Sequence, residues 1–240
     1  MRCREESSKT LTVPDLLDAI EIETGAAPTA SIIWMHGLGA DGHDFVDIVP
    51  ALRLPARPGV RFVFPHAPMR PVTINGGYVM RAWYDIREVR GERREDADGI
   101  RASQKAIEAL IQREKERGVP AAAIVLAGFS QGGAMALHTS LRHAERLAGV
   151  MALSCSLPLA DTLAAEAAPV NRDVPIFMAH GTQDPMIPLA RALRAREVLT
   201  GLGYRVEWHE YPMPHSVCPQ EIADIAAWLG RVLGVASVTR

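Results

Sequence analysis

Cysteine is scarce: the 240 residues hold three, Cys3, Cys155 and Cys218, with no C-x-x-C spacing. So odd and sparse a set excludes a disulfide framework and suits a reducing, cytoplasmic setting. No stretch reaches about 18 uncharged apolar residues, which excludes a membrane-spanning helix. The opening MRCREESSK is charged and has no apolar core, so no secretory signal is predicted. Neither sign of charge dominates. Lys and Arg number 26 against 28 Asp and Glu, a net charge of −2, so the chain as a whole has no electrostatic attraction for nucleic acid or an anionic membrane. With 48% hydrophobic and 22% charged residues the composition is ordinary for a globular protein and excludes a mainly disordered one.

What is present alternates. Short β-branched or apolar runs occur at Ser31–Met35, Val60–Phe64, Ala123–Ala127, Ala148–Leu153 and Pro175–Ala179. Continuous apolar runs of this length read as strands buried on both faces. Tyr204–Tyr211 alternates instead, as expected of a strand nearer the sheet edge. Between these lie helical patterns at Ile100–Arg117, Gly133–Arg142, Leu189–Leu199 and Gln220–Leu233. Strands alternating with helices predict an α/β fold with a mostly parallel central sheet and helices on both faces. One such domain is expected over residues 26–240, with little assigned to residues 1–25. The segment Ala67–Asp98 is long for a loop in a compact domain, and such excursions are often functional.

The sharpest motif is Gly128-Phe129-Ser130-Gln131-Gly132, placed after one strand and before a small-residue helix. G-x-S-x-G needs that context. At a tight strand-to-helix turn the serine hydroxyl is exposed, and the glycines let neighbouring backbone pass without Cβ clashes. A serine hydroxyl is a weak nucleophile unless a base takes its proton and a carboxylate orients the base. Asp184 follows the strand Pro175–Ala179, and His215 follows Tyr204–Tyr211. Both therefore fall at carboxyl ends of strands, where parallel sheets gather their sites. The backbone N–H of Gln131, and that of Leu38 in the loop His36-Gly37-Leu38-Gly39, are the expected oxyanion donors. His36 itself is read as structural.

Two rival readings of the early loop fail on chemistry. Gly37–Gly42 is formally G-x-G-x-x-G, but the next strand ends Phe64-Pro65-His66 without the acid that a ribose requires. His36, Asp41, His43 and Asp44 lack recognised metal-ligand spacing, so no metal is expected. Within the long segment, Asn75-Gly76-Gly77 supplies a turn, and Met80, Trp83 and Tyr84 supply apolar surface for one wall of a substrate pocket. Met186 and Ile187 are expected on the facing wall.

The blocks HGLGADGHDF, FPHAP, INGGYVMRAWYD, GFSQGG, HGTQDPMIP and HSVCPQEI occur in order from about Ser31 onward. In them the chain resembles the phospholipase/carboxylesterase family of α/β-hydrolases, which includes bacterial carboxylesterases and acyl-protein thioesterases. The resemblance implies Ser130 as nucleophile, Asp184 as acid, His215 as base, Leu38 and Gln131 as oxyanion donors, and an acyl site near Trp83. It departs from the family at Pro214, where glycine is usual, and at Cys155-Ser156, where an aromatic is common. The expectation is a cofactor-free serine carboxylesterase for short-to-medium acyl esters, with thioesters or lysophospholipids as alternatives on the same site. A noncatalytic binding module on the same fold is the alternative of another class. Small acyl compounds are the expected partners, and a monomer and a homodimer both fit the sequence.

Overall fold

The computed structural model describes residues 16–89 and 92–235. Seven strands form one sheet in the order β1-β3-β2-β8-β9-β10-β11. They are β1 (Ala19–Glu23), β2 (Ala30–Met35), β3 (Val60–Pro65), β8 (Ile124–Phe129), β9 (Gly149–Leu153), β10 (Ile176–Gly181) and β11 (Val206–Tyr211). All pairings are parallel except that of β1 with β3. Five central strands, β2, β3, β8, β9 and β10, are buried on both faces almost throughout, as their mainly apolar runs require, with Arg61 of β3 paired to Glu23 and Glu114. The alternating run ends the sheet as β11, and β1 caps the other edge, so the sheet takes in chain before residue 26.

The long excursion is built from two antiparallel hairpins. β4 (Met69–Val72) pairs with β5 (Tyr78–Arg81), turning through Gly76 and Gly77 at positive φ. β6 (Ile86–Val89) pairs with β7 (Glu92–Glu95). Two layers of helices cover the sheet. The helices α2 (Ala97–Glu116), α3 (Gln131–Arg142), α4 (Ala160–Glu166) and α5 (Leu189–Gly201) share one apolar core with Ile33, Leu126, Val150 and Met178. On the opposite face α1 (Ile48–Leu52) and α6 (Pro219–Leu233) pack over Trp34, Phe62, Met151 and Phe177. No helix among the described residues is long and apolar enough to cross a membrane.

Candidate active site

Ser130 sits between β8 and α3 at φ 55°, ψ −119°. A non-glycine residue there is strained by about 1–3 kcal/mol and needs its surroundings to hold it. Its N–H donates to the Leu153 carbonyl at 2.8 Å, and its own carbonyl accepts from the Ala134 N–H at 3.1 Å. The flanking glycines are steric requirements. A Cβ on Gly132 would lie 2.1 Å from the Met35 carbonyl oxygen, and one on Gly128 would lie 2.3 Å from the Gly132 carbonyl carbon. Only glycine at both positions lets α3 start hard against β8 and β2.

Asp184 lies three residues beyond β10 and His215 four beyond β11. The imidazole Nδ1 is 2.6 Å from Asp184 Oδ2, and the carboxylate is fully shielded from water. A carboxylate can only accept, so Nδ1 carries the hydrogen and Nε2 is left with a lone pair when the ring is neutral. The other oxygen, Oδ1, accepts from the Met186 and Ile187 N–H groups at 2.8 Å each. Asp184 thus closes the turn that leads to α5 and holds His215 at once. His180, buried beneath, fixes the same turn through Nε2, 2.8 Å from the Ile187 carbonyl. The ring of His215 rests on Phe129, centroid to centroid 4.6 Å, and Phe129 in turn packs on Phe45. Pro214 is exposed, and its carbonyl accepts from the Ser216 N–H, so a proline there is accommodated with His215 still on Asp184.

The early loop is locked by His36. Its Nε2 accepts from the Ala67 N–H at 3.0 Å, so Nδ1 holds the hydrogen that donates to the Gly37 carbonyl at 2.7 Å. Burial pushes its pKa down to about 4, which keeps the ring neutral. In the loop beyond, the Gly39 N–H is engaged by the Arg81 carbonyl and that of Ala40 by Gly37. Gln131 is the first residue of α3, where N–H groups have no carbonyl of their own helix to meet. Such an N-terminus favours negative charge.

Ser130, His215, Leu38 and Gln131 line one cavity of about 410 Å³, together with Met80, Tyr84, Met186 and Ile187. Trp83 does not belong to its wall, contrary to the expectation from sequence. It is fully buried. Its indole Nε1 donates to the His36 carbonyl at 3.0 Å, its N–H donates to Gln131 Oε1 at 2.7 Å, and its carbonyl accepts from Ser103 Oγ. A side chain and backbone so fully engaged anchor the excursion, and the neighbour Tyr84 reaches the cavity instead. The Gln131 amide completes the anchor by donating to the Tyr84 carbonyl at 2.7 Å. This role of Gln131 had no sequence signal beyond its place after Ser130.

Cys155 is buried against Gly133, and burial pushes its thiol up to about 12, so it is not a thiolate nucleophile. Cys218 caps the start of α6 and packs on the second core. Among the described residues no group of three or more His, Cys, Asp or Glu is placed to hold a metal ion. In particular both ring nitrogens of His36 are engaged by backbone, while His43 pairs with Asp41 at the surface. The arrangement brings a serine hydroxyl and an imidazole oriented by a buried carboxylate onto one cavity, at the N-terminus of α3.

A mostly parallel sheet with its functional loops at the carboxyl ends of the strands, and a serine at the strand-to-helix turn, define the α/β-hydrolase class. The family model described as Phospholipase/Carboxylesterase matches residues 18–233, and the chain belongs to that family. Acyl-protein thioesterase 1 of Gibberella zeae is 41% identical over 214 residues, covering 85% of this chain and 91% of that protein. Acyl-protein thioesterase 1 of Neurospora crassa is 42% identical, covering 85% of this chain and 87% of that protein. Among solved structures, Zea mays acyl-protein thioesterase 2 superposes with a TM-score of 0.81 at 26% identity, covering 91% of this chain and 100% of that one. Arabidopsis thaliana SOBER1 does so at 0.80 and 29%, covering 85% and 99%.

Proposed function

We propose that the protein hydrolyses acyl thioesters through an acyl-enzyme on Ser130, with oxygen esters as further substrates of the same site. The observation that carries this reading is the 2.6 Å contact between His215 Nδ1 and buried Asp184, on the cavity that Ser130 also lines. Ser130 Oγ attacks the acyl carbon while His215 Nε2 takes its proton. The oxyanion that forms meets the N–H groups of Leu38 and Gln131. Collapse of the tetrahedral intermediate breaks the bond to the leaving sulfur or oxygen, which receives the proton from His215. Water, deprotonated by the same nitrogen, then cleaves the acyl-enzyme. Asp184 keeps the ring in the required tautomer and stabilises its cation throughout.

The thioester is placed ahead of the carboxylic ester expected from sequence because the relatives bearing the thioesterase name match most of the chain at 41 and 42% identity. The triad itself acts on the acyl carbon and does not choose the leaving group. The test is a matched pair, octanoyl thioester and octanoyl p-nitrophenyl ester, compared by kcat/KM. Turnover of both, with the thioester ahead after correction for uncatalysed hydrolysis, is expected. Turnover of the oxygen ester alone would move the assignment to a carboxylesterase, and turnover of neither would refute the reading.

A further inference from the structure

Beside the cavity runs a larger groove of about 650 Å³, between α4 and α5 on one side and the start of β6 on the other. Leu157, Ala160, Ala195 and Val198 give it an apolar lining. The cavity and the groove adjoin along three side chains that line both, Tyr84, Ile86 and Ser156. Two of the three are bulky and one is a serine. Cys155 turns into the core against Gly133, which leaves Ser156 as the residue beyond β9 that borders both spaces.

The two ends of a substrate can be assigned to opposite sides of Ser130. His215 lies on the α1/α6 side of the cavity that it shares with Ser130: its ring rests on Phe129, which packs on Phe45, and both belong with the second core. The leaving group must lie within reach of the proton that His215 returns, so it occupies that side. The groove lies on the other side, where Leu157, Ala195, Ala160 and Val198 belong with the core under α2 to α5. The acyl chain therefore points toward the groove. The charges of Arg191, Arg194, Asp161 and Glu95 also border it. Arg191 and Arg194 are exposed, and the Glu95 carboxylate is tied to the Leu159 N–H. Long charged side chains of this kind lay apolar stems along such a groove and keep their heads in water.

We infer that Ser156 is a specificity-determining residue: its small side chain joins the cavity to the groove, which serves as a distal subsite for unbranched acyl chains too long for the cavity alone. This rests on the acyl-hydrolase reading above and revises the short-to-medium range expected from sequence. It is tested on the full chain with p-nitrophenyl esters from butanoyl to hexadecanoyl, assayed below their critical micelle concentrations. The wild type is expected to prefer dodecanoyl over butanoyl. Ser156→Trp closes the junction and is expected to lower the dodecanoyl-to-butanoyl ratio of kcat/KM by about tenfold or more, mainly through KM, since even one methylene in an apolar site is worth about tenfold. Ala160→Phe fills the groove beyond the junction and is expected to lower the ratio likewise, so the inference stays testable if Ser156→Trp folds poorly. A ratio within about twofold of wild type in either variant that melts normally overturns the inference. So does a wild type confined to butanoyl. Failure of the wild type on every chain length would refute the acyl-hydrolase reading itself.

Discussion

Replacing Trp83 by alanine should mainly destabilise the fold. The side chain is fully buried in the larger core, and removing a buried aromatic of this size costs about 3–5 kcal/mol in lost transfer energy and cavity formation. The His36 carbonyl also loses the indole N–H that it accepts at 3.0 Å. An orphaned buried acceptor costs about 1–3 kcal/mol, and less where the new cavity admits a water. A total near 4–6 kcal/mol follows, and at about 2–4 °C per kcal/mol for a domain of this size the melting temperature should fall by about 10–20 °C. Trp83→Phe keeps most of the volume and loses only the N–H, so it should show the smaller, polar part of the effect. Calorimetry or circular dichroism melts give the stability, and a chain-length series run well below both melting temperatures gives the selectivity. A Trp83→Ala variant that melts within about 3 °C of wild type while its acyl preference shifts by tenfold would refute the anchor assignment and restore Trp83 to the pocket wall.

Gly132→Ala places a methyl 2.1 Å from the Met35 carbonyl oxygen, backbone against backbone, and should destabilise by at least about 1–3 kcal/mol in urea melts. Wild-type stability there would mean that α3 does not start against β2. Glu221 is buried in the first turn of α6, and burial, with help from Asp224, pushes its carboxyl up to about 8. A carboxyl raised on folding favours the protonated state, so its contribution is lost as pH climbs from about 4.5 through about 8, by an amount on the order of a few kcal/mol. Glu221→Gln should remove that slope from a plot of unfolding free energy against pH, and an unchanged slope would discard the assignment. Burial holds His36 down to about 4 and His138 to about 3, so on the acid side stability should fall as pH drops from 6.5 toward 4, where only the unfolded chain takes up these protons. A melting temperature flat over that range would count against neutral buried imidazoles.

Much of the fold was legible because its signals are local. Unbroken apolar runs such as SIIWM and PIFMA read as doubly buried strands, and the alternation in YRVEWHEY placed β11 at an edge. The meeting of Asp184 with His215, and of His215 with Ser130 on one cavity, was legible because each residue follows a strand of a parallel sheet, so their nearness is a matter of topology. The two hairpins were not resolved in advance. Their strands are four residues long, too short for a period to show; three mix charge with apolar groups and β7 is charged throughout. β1 was missed because AIEIE alternates within a charged stretch and makes one antiparallel pairing at the margin. Trp83 was misplaced because an aromatic in a polar excursion resembles a pocket wall until its indole is seen bonded to the backbone of another loop. Long-range bonds of that kind, like those of the Gln131 amide to Trp83 and Tyr84, leave no pattern in the chain.

The central claim is that Ser130 carries the acyl group. The direct measurement is the intact mass of the full chain, acid-quenched within the first turnovers of an octanoyl thioester, followed by peptide mapping. An adduct of one acyl group on the peptide holding Ser130, absent from Ser130→Ala and all but absent from His215→Ala on the same timescale because His215 also serves acylation, is the predicted result. An acyl adduct on another residue, or thioester turnover undiminished in Ser130→Ala, would contradict the account.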